Sequence, residues 1–274
     1  DPPPDPAKQA QDRYYNPPPD PAKQAQDRYY DPPPDPASAT SSPSSISMTR
    51  REDGDMGDDY TGRIAPGSGA AERRDARLLV RKRSVGNRDN NVYVVADAES
   101  GEAYVIDAAA EADRIREALD DLQPLAVLQT HGHWDHVRAW DDLVEDPGLP
   151  IWGHGGDAEL FPHPLDRTLE HGERLPCGDL ELEVIHTPGH TAGSVQFLVH
   201  ADERPHLFSG DSLFPGGPGN TFGDDSRFRE LMDGLKEKIF ERLPDGTWVY
   251  PGHGNDTVLG EERSKIPEWE ERGW

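Results

Sequence analysis

The chain has a single cysteine, Cys177, among its 274 residues, which excludes an intrachain disulfide and any sulfur-rich metal cluster. A bound metal must then be held by histidine and carboxylate. Positive charge is scarce too: 28 Lys and Arg stand against 53 Asp and Glu, a formal net charge of −25. Nucleic acids and anionic membrane surfaces select basic patches, so neither is expected as a partner. No apolar run reaches the roughly 18 residues of a membrane span, and the amino terminus opens on Asp and Pro instead of a basic-then-apolar leader. From these absences a cytoplasmic protein is expected, and the length is enough to bury an enzyme-sized core.

What is present begins with a repeat. DPPPDPAKQAQDRYY at 1–15 recurs at 16–30 with only Asp1 becoming Asn16, and a third copy starts as DPPPDPA. Its proline triplets favour polyproline II, and with almost no aliphatic residues it cannot offset the entropy of folding by burial. Residues 1–75 are therefore expected to be a disordered Pro/Ser-rich arm and linker. A sharper alternative is a recognition arm that offers a protein partner preformed Pro-Tyr segments. A third is that Met48 is the translation start and the repeat an extension of the reading frame.

From Ala76 to the end the texture is that of one α/β domain. ARLLVRKRSV, NNVYVVAD and EAYVIDAA read as three strands of a meander, separated by the turn signals Gly86-Asn87 and Ser100-Gly101. EADRIREALDDL reads as a helix, and LAVLQT as a short apolar strand that runs into His131. Further strands are expected at PIWGH, LELEVIHT, SVQFLVH, HLFSG and TWVYPG. Phe228, Leu231, Met232, Leu235, Ile239, Phe240 and Leu243 keep helical spacing, so that stripe is the core face of an amphipathic helix.

The run Thr130-His131-Gly132-His133-Trp134-Asp135-His136 packs three imidazoles and a carboxylate into six positions. Packing alone does not explain such density. In extended backbone, residues two apart share a side, so His131 and His133 can grip one ion. As the chain turns toward a helix, Asp135 and His136 swing to a neighbouring position and can serve a second. His190, Asp211 and His253 each close an expected strand beside a glycine, at Gly189, Gly210 and Gly252, where the backbone can turn the side chain to the sheet edge. A lone histidine at a strand end is usually a satisfied core or surface residue; the dense cluster upstream reverses that reading here. Imidazole and carboxylate suit zinc, but also iron or manganese. His154, His163, His171, His186, His200 and His206 are read as surface or supporting residues, with His186 near enough to orient His190. Trp134 either touches substrate or packs, and the glycines of PGGPGNT shape a loop over the pocket.

With HxHxDH at 131–136 followed in order by TPGHT, SGDSLF and YPGHG, the chain resembles the metallo-β-lactamase superfamily, most closely its glyoxalase II-like hydrolases. The resemblance spans roughly residues 77–274. It implies an αββα sandwich with the site at one edge and two divalent metal ions, zinc first. His131, His133 and His190 would hold one ion, Asp135, His136 and His253 the other, and Asp211 would bridge them. Two cations roughly 3.5 to 4 Å apart lower the pKa of a shared water until hydroxide is available near neutral pH. That hydroxide attacks a carbonyl, the same charge stabilises the oxyanion, and Asp135 orients the nucleophile or takes its proton.

Departures narrow the class. Many β-lactamases of the family carry a cysteine at the second ion, where this chain offers Asp211. The flavodiiron branch has Glu where His133 stands, and the nucleic-acid-processing branches carry large insertions. Only 21 residues follow His253, which weighs against the helical substrate domain of full glyoxalase II and against glutathione specifically. The leading expectation is a hydrolase that acts on a small-molecule substrate at an ester-like bond, a thioester foremost. Rivals are a persulfide dioxygenase with one iron on His131, His190 and Asp211, a lactonase, and a non-catalytic metal-containing protein that acts through its arm.

Overall fold

The structure, a computed structural model, describes residues 60–273; the tandem repeat and Met48 lie outside the described residues. Seven strands form one sheet in chain order: β1 (Ala71–Asp75), β2 (Leu78–Val85), β3 (Asn90–Asp97), β4 (Glu102–Ile106), β5 (Gln123–Leu128), β6 (Ile151–His154) and β7 (Arg167–Leu169). The first four are antiparallel neighbours and β4 to β7 run parallel. Two helices, α1 (Ala112–Leu119) and α2 (Trp140–Glu145), flank this sheet.

The second sheet is built from β8 (Arg174–Cys177), β9 (Leu180–His186), β10 (Val195–His200), β11 (Pro205–Gly210), β14 (Trp248–Pro251) and β15 (Thr257–Val258), with spatial order β15-β14-β11-β10-β9-β8. A small hairpin, β12 (Leu213–Phe214) and β13 (Gly217–Pro218), leaves it near the site. Helix α3 (Asp225–Leu235) runs on into a π turn at Lys236–Phe240, and α4 (Leu259–Arg263) and α5 (Ile266–Arg272) follow β15. Asp224 starts α3 by accepting from the N–H groups of Ser226 and Arg227.

Strand periodicity sorts the core into three layers. On β3, Val92, Val94 and Ala96 face α1 and α2, whereas Tyr93 and Val95 face the other sheet. On β10, Val195, Phe197 and Val199 meet that inter-sheet layer, while Leu198 joins Phe228, Leu231, Leu235 and Ile239 under α3 and its π turn. Each such side chain, once buried, contributes about 1.5 to 3 kcal/mol. Helix, sheet, sheet and helix are thus stacked as an αββα sandwich. Among the described residues, no helix is long and apolar enough to cross a membrane.

All the strands expected from the sequence form, within a few residues of their expected bounds. The fold nonetheless starts before residue 76. Strand β1 pairs along β2, so the stretch before Ala76 is not all linker. Its sequence, AERRD, hides it because the inward side chains are charged: Arg73 lays its guanidinium 4.1 Å from the Trp248 ring, and Asp75 accepts from His206 at 3.0 Å. The amphipathic helix also departs from expectation, widening at Lys236 into a π turn that still buries Ile239 and Phe240.

Candidate metal centre

The C-terminal ends of the parallel strands and the loops of the second sheet meet at one edge of the sandwich. Just past β5, Thr130 and His131 leave the sheet, and a 3-10 turn at Trp134–His136 follows. His190 follows β9, Asp211 follows β11 and His253 follows β14. All seven residues singled out in the sequence are brought together here.

They fall into overlapping groups. The donor atoms of His131, His133 and His190 lie within 4.8 Å of one another, as do those of Asp135, His136 and His253, and those of His131, His136 and Asp211. His133 Nδ1 is 3.1 Å from His131 Nε2 and 2.9 Å from His190 Nε2. His136 Nε2 is 3.2 Å from His253 Nε2. The Asp211 carboxylate reaches both sides: Oδ2 is 3.6 Å from His190 Nε2 and 3.5 Å from His253 Nε2, and Oδ1 is 3.4 Å from His136 Nε2. Asp135 Oδ2 lies 3.5 Å from His253 Nε2.

The outer nitrogens explain why these rings face one another. His190 Nδ1 donates to the Asn220 carbonyl at 2.8 Å, His253 Nδ1 to the Arg88 carbonyl at 3.0 Å, and His136 Nδ1 to Asp107 Oδ2 at 2.8 Å. Thr130 Oγ1 gives its hydrogen to Asp107 and so accepts from His131 Nδ1 at 3.0 Å. A neutral imidazole that donates at one nitrogen presents a lone pair at the other. Four Nε2 atoms therefore face one space, each offering a lone pair when its ring is neutral.

The electrostatics divide the site. Burial, then the neighbouring imidazoles, pulls His131 well below the usual histidine range and brings His133 to about 3; burial lowers His190 as well. Burial pulls His136 and His253 the same way, but the Asp211 carboxylate, joined at His136 by Asp107, overcomes it and both rise. Asp211 is held well below the carboxylate range by His253 and His136 despite its burial. Its Oδ1 is buried without a hydrogen-bond partner. An orphaned carboxylate oxygen amid convergent lone pairs is a donor set that fits cations.

Close approach makes glycine necessary at 252, where a Cβ would collide with Asp211 Oδ1 and stand 2.8 Å from His136 Cε1. The open side carries two aromatic rings: Trp134 is 46% and Phe222 45% exposed. Phe222 sits 5.9 Å from both the His133 and His190 rings, and the guanidinium groups of Arg88 and Arg138 lie 5.7 and 5.6 Å from the Trp134 ring.

Three supporting residues escaped sequence reasoning. Asp107 accepts from Thr130 N, Thr130 Oγ1 and His136 Nδ1, and Asn90 Nδ2 donates to Asp135 Oδ2 at 3.2 Å. Buried Asp157 accepts from Gly132 N, Thr191 Oγ1 and Gly193 N, tying the 131–136 turn to the loop of His190. A signal for Asp107 existed, since it closes a strand just as the ligand candidates do. His186 does not orient His190: its Nε2 donates to the Ala192 carbonyl and its ring stacks on His154 at 3.9 Å. His206 is core, bonded to Asp75 and Tyr250.

The sequence profile of the metallo-beta-lactamase superfamily matches residues 85–253, and the chain belongs to that family. Hydroxyacylglutathione hydrolase GloC of Haemophilus influenzae is 32% identical over 197 residues, covering 65% of this chain and 91% of GloC. Among solved structures, TTHA1623 in a di-iron-bound form is 35% identical with a TM-score of 0.55, covering 65% of this chain and 94% of that one. ETHE1 from Myxococcus xanthus is 29% identical with a TM-score of 0.59, covering 69% and 83%. The superfamily is one of metallo-hydrolases, its fold implies divalent metal ions, and the His/Asp cluster is the candidate site for them.

Proposed function

We propose that the chain hydrolyses small ester-like bonds, thioesters foremost, with two zinc ions. His131, His133 and His190 would hold one ion and Asp135, His136 and His253 the other, with the Asp211 carboxylate in reach of both groups. The observation that carries this reading is that Asp135, His136 and His253 form a second complete group of donors beside the first. When bound, such a pair supplies Lewis acidity toward a carbonyl and hydroxide near neutral pH. The chain's own residues then have separable tasks. Asp157 and Asp107 fix the backbone and imidazole that present the donors. Asp135, one oxygen of which is oriented by Asn90, is placed to align the attacking water or accept its proton. Trp134 and Phe222 offer apolar faces to an acyl or thiol group at the mouth. Water is consumed, the acyl carbon–sulfur bond breaks, and an acid and a thiol leave. No serine or cysteine nucleophile is required, and buried Cys177 stands apart from the site.

A second reading keeps the fold and uses one iron on His131, His190 and Asp211 for persulfide oxidation; likeness to a protein crystallised with two irons keeps iron in view. Metal content of purified protein, measured beside a panel of thioesters, lactones, β-lactams and phosphodiesters, tests both. Two zinc ions per chain with highest kcat/KM on a thioester is the expected result. One iron per chain with sulfite released from a persulfide overturns it. Asp135→Ala should weaken binding of the second ion and, with that ion restored by excess zinc, still lose turnover by about 100-fold or more.

A further inference from the structure

Lys82 is out of place by every rule of strand patterning. On β2, Leu78 and Val80 face the inter-sheet layer, and the next residue on that side is this lysine, which is 0% exposed. Its Nζ gives its three hydrogens to three acceptors: the Asp256 carboxylate at 2.6 Å, the Gly254 carbonyl at 2.8 Å and the Gly62 carbonyl at 3.0 Å. The Asp256 side chain is equally buried, and both of its oxygens are filled. Oδ1 takes Lys82 and Tyr93, and Oδ2 takes Tyr60 at 2.6 Å and Trp248 Nε1 at 3.2 Å.

A buried ion pair is a poor source of stability, because desolvation offsets most of its attraction and an apolar pair of similar volume is often as good. The position of this one suggests what it does. Lys82 belongs to the first sheet, whereas Gly254 and Asp256 belong to the loop that leaves β14 of the second. That loop carries His253. The carbonyls on either side of His253 are both held from the first sheet: Gly252 O accepts from Asn91 N at 2.7 Å, and Gly254 O from Asn91 Nδ2 at 2.9 Å as well as from Lys82. Tyr93 and Asn91 hold the Pro251 carbonyl in the same way.

We propose that Lys82 and Asp256 are positioning residues for the second ion, clamping the His253 loop of one sheet to the other so that its imidazole is already aimed at Asp135, His136 and Asp211. This inference rests on His253 being a ligand, as the proposed function has it. A purely structural tether would leave ion affinity untouched once the seam is repacked, whereas a positioning clamp would not.

The test is titration of metal-free full-length protein with zinc under chelator competition, comparing wild type, Lys82→Met and Lys82→Met/Asp256→Leu, with thermal unfolding of each metal-free form. Lys82→Met strands a buried carboxylate and should lower the melting temperature; the double variant removes both charges but also the acceptor of Tyr60 Oη and Trp248 Nε1, and should recover part of that loss. In both, affinity for the second zinc should fall about 10- to 100-fold while the first is unchanged, the range for outer residues that orient a ligand. Hydrolysis of a thioester should fall mainly in kcat. A double variant that binds both ions like wild type overturns the clamp and leaves the hydrolase reading standing. Wild type that takes one ion overturns the two-ion reading and the clamp with it, and wild type that takes two ions but cleaves no ester overturns only the hydrolase.

Discussion

Asp107 decides which nitrogen of His136 faces the cations, and Asp107→Asn is the sharpest way to ask whether that matters. Both oxygens of the native carboxylate accept: Oδ1 from Thr130 N at 2.7 Å, and Oδ2 from Thr130 Oγ1 and from His136 Nδ1, each at 2.8 Å. The backbone there has φ of 64°, which asparagine tolerates. In the variant, the amide oxygen keeps the Thr130 N–H and the new NH₂ faces His136. A donor there requires Nδ1 to carry the lone pair, so the proton moves to Nε2, the atom that must face the ion. The same NH₂ faces Thr130 Oγ1, whose hydrogen then turns to His131 Nδ1, so the fold loses little while each cation loses a ligand or must force a tautomer back. Outer residues of this kind change affinity or activity about 10- to 100-fold, or about 1.4 to 2.8 kcal/mol at roughly 1.4 kcal/mol per decade. Zinc competition titration reads the affinity, thioester turnover reads the consequence, and thermal unfolding without metal confirms that the chain still folds. Wild-type affinity for both ions in a folded Asp107→Asn protein would refute the tautomer argument.

Three further outcomes are expected. Gly252→Ala drives a methyl into the Asp211 carboxylate and to 2.8 Å from His136 Cε1, so it should abolish binding of at least one ion and destabilise the metal-free protein by about 1 to 3 kcal/mol, measured by urea unfolding with metal analysis. Asp157→Ala strands the buried N–H groups of Gly132 and Gly193, while the Thr191 hydroxyl keeps Ser194 Oγ; a loss of about 2 to 4 kcal/mol should appear as a lowered melting temperature, and an unchanged one would show that the two loops need no tie. Burial pushes the Asp97 carboxyl up, but the N–H groups of Asp179 and Glu99 and the Arg77 guanidinium overcome it and bring the pKa from 3.8 to about 2. Because the folded value lies below the unfolded one, its stabilising contribution is complete above about pH 4 and fades as pH falls toward 2. Urea midpoints of wild type and Asp97→Asn should therefore converge over that window, and a gap that stays constant would assign the effect to packing.

What could be read from the sequence, and what could not, divides along a physical line. Strand alternation and the sequence-local cluster at 131–136 are short-range patterns, so β2 to β5 and the first four donors were legible. His190, Asp211 and His253 could be added because each closes an apolar strand beside a glycine, a repeated local sign that one sheet edge gathers them. The supporting polar residues carry at most part of that sign, Asp107 closing a strand with no glycine beside it. Asp107 finds His136 at a separation of 29 residues, Asp157 finds Gly193 at 36, and Lys82 finds Asp256 at 174. Spacing alone cannot reveal partners that only the fold brings together. Strand β1 failed for a related reason, since Arg73 and Asp75 point inward, where a pattern argument expects apolar residues. Yet Arg73, Asp75 and Lys82 break the pattern in the same seam, on the two strands nearest one edge of the first sheet, and each meets a partner from the second: Trp248, His206 and Asp256. Apolar residues there would hold the sheets together without fixing how one lies on the other. Directional polar contacts set that registration, and a site whose donors come from both sheets, His131 to His136 from one and His190, Asp211 and His253 from the other, depends on it.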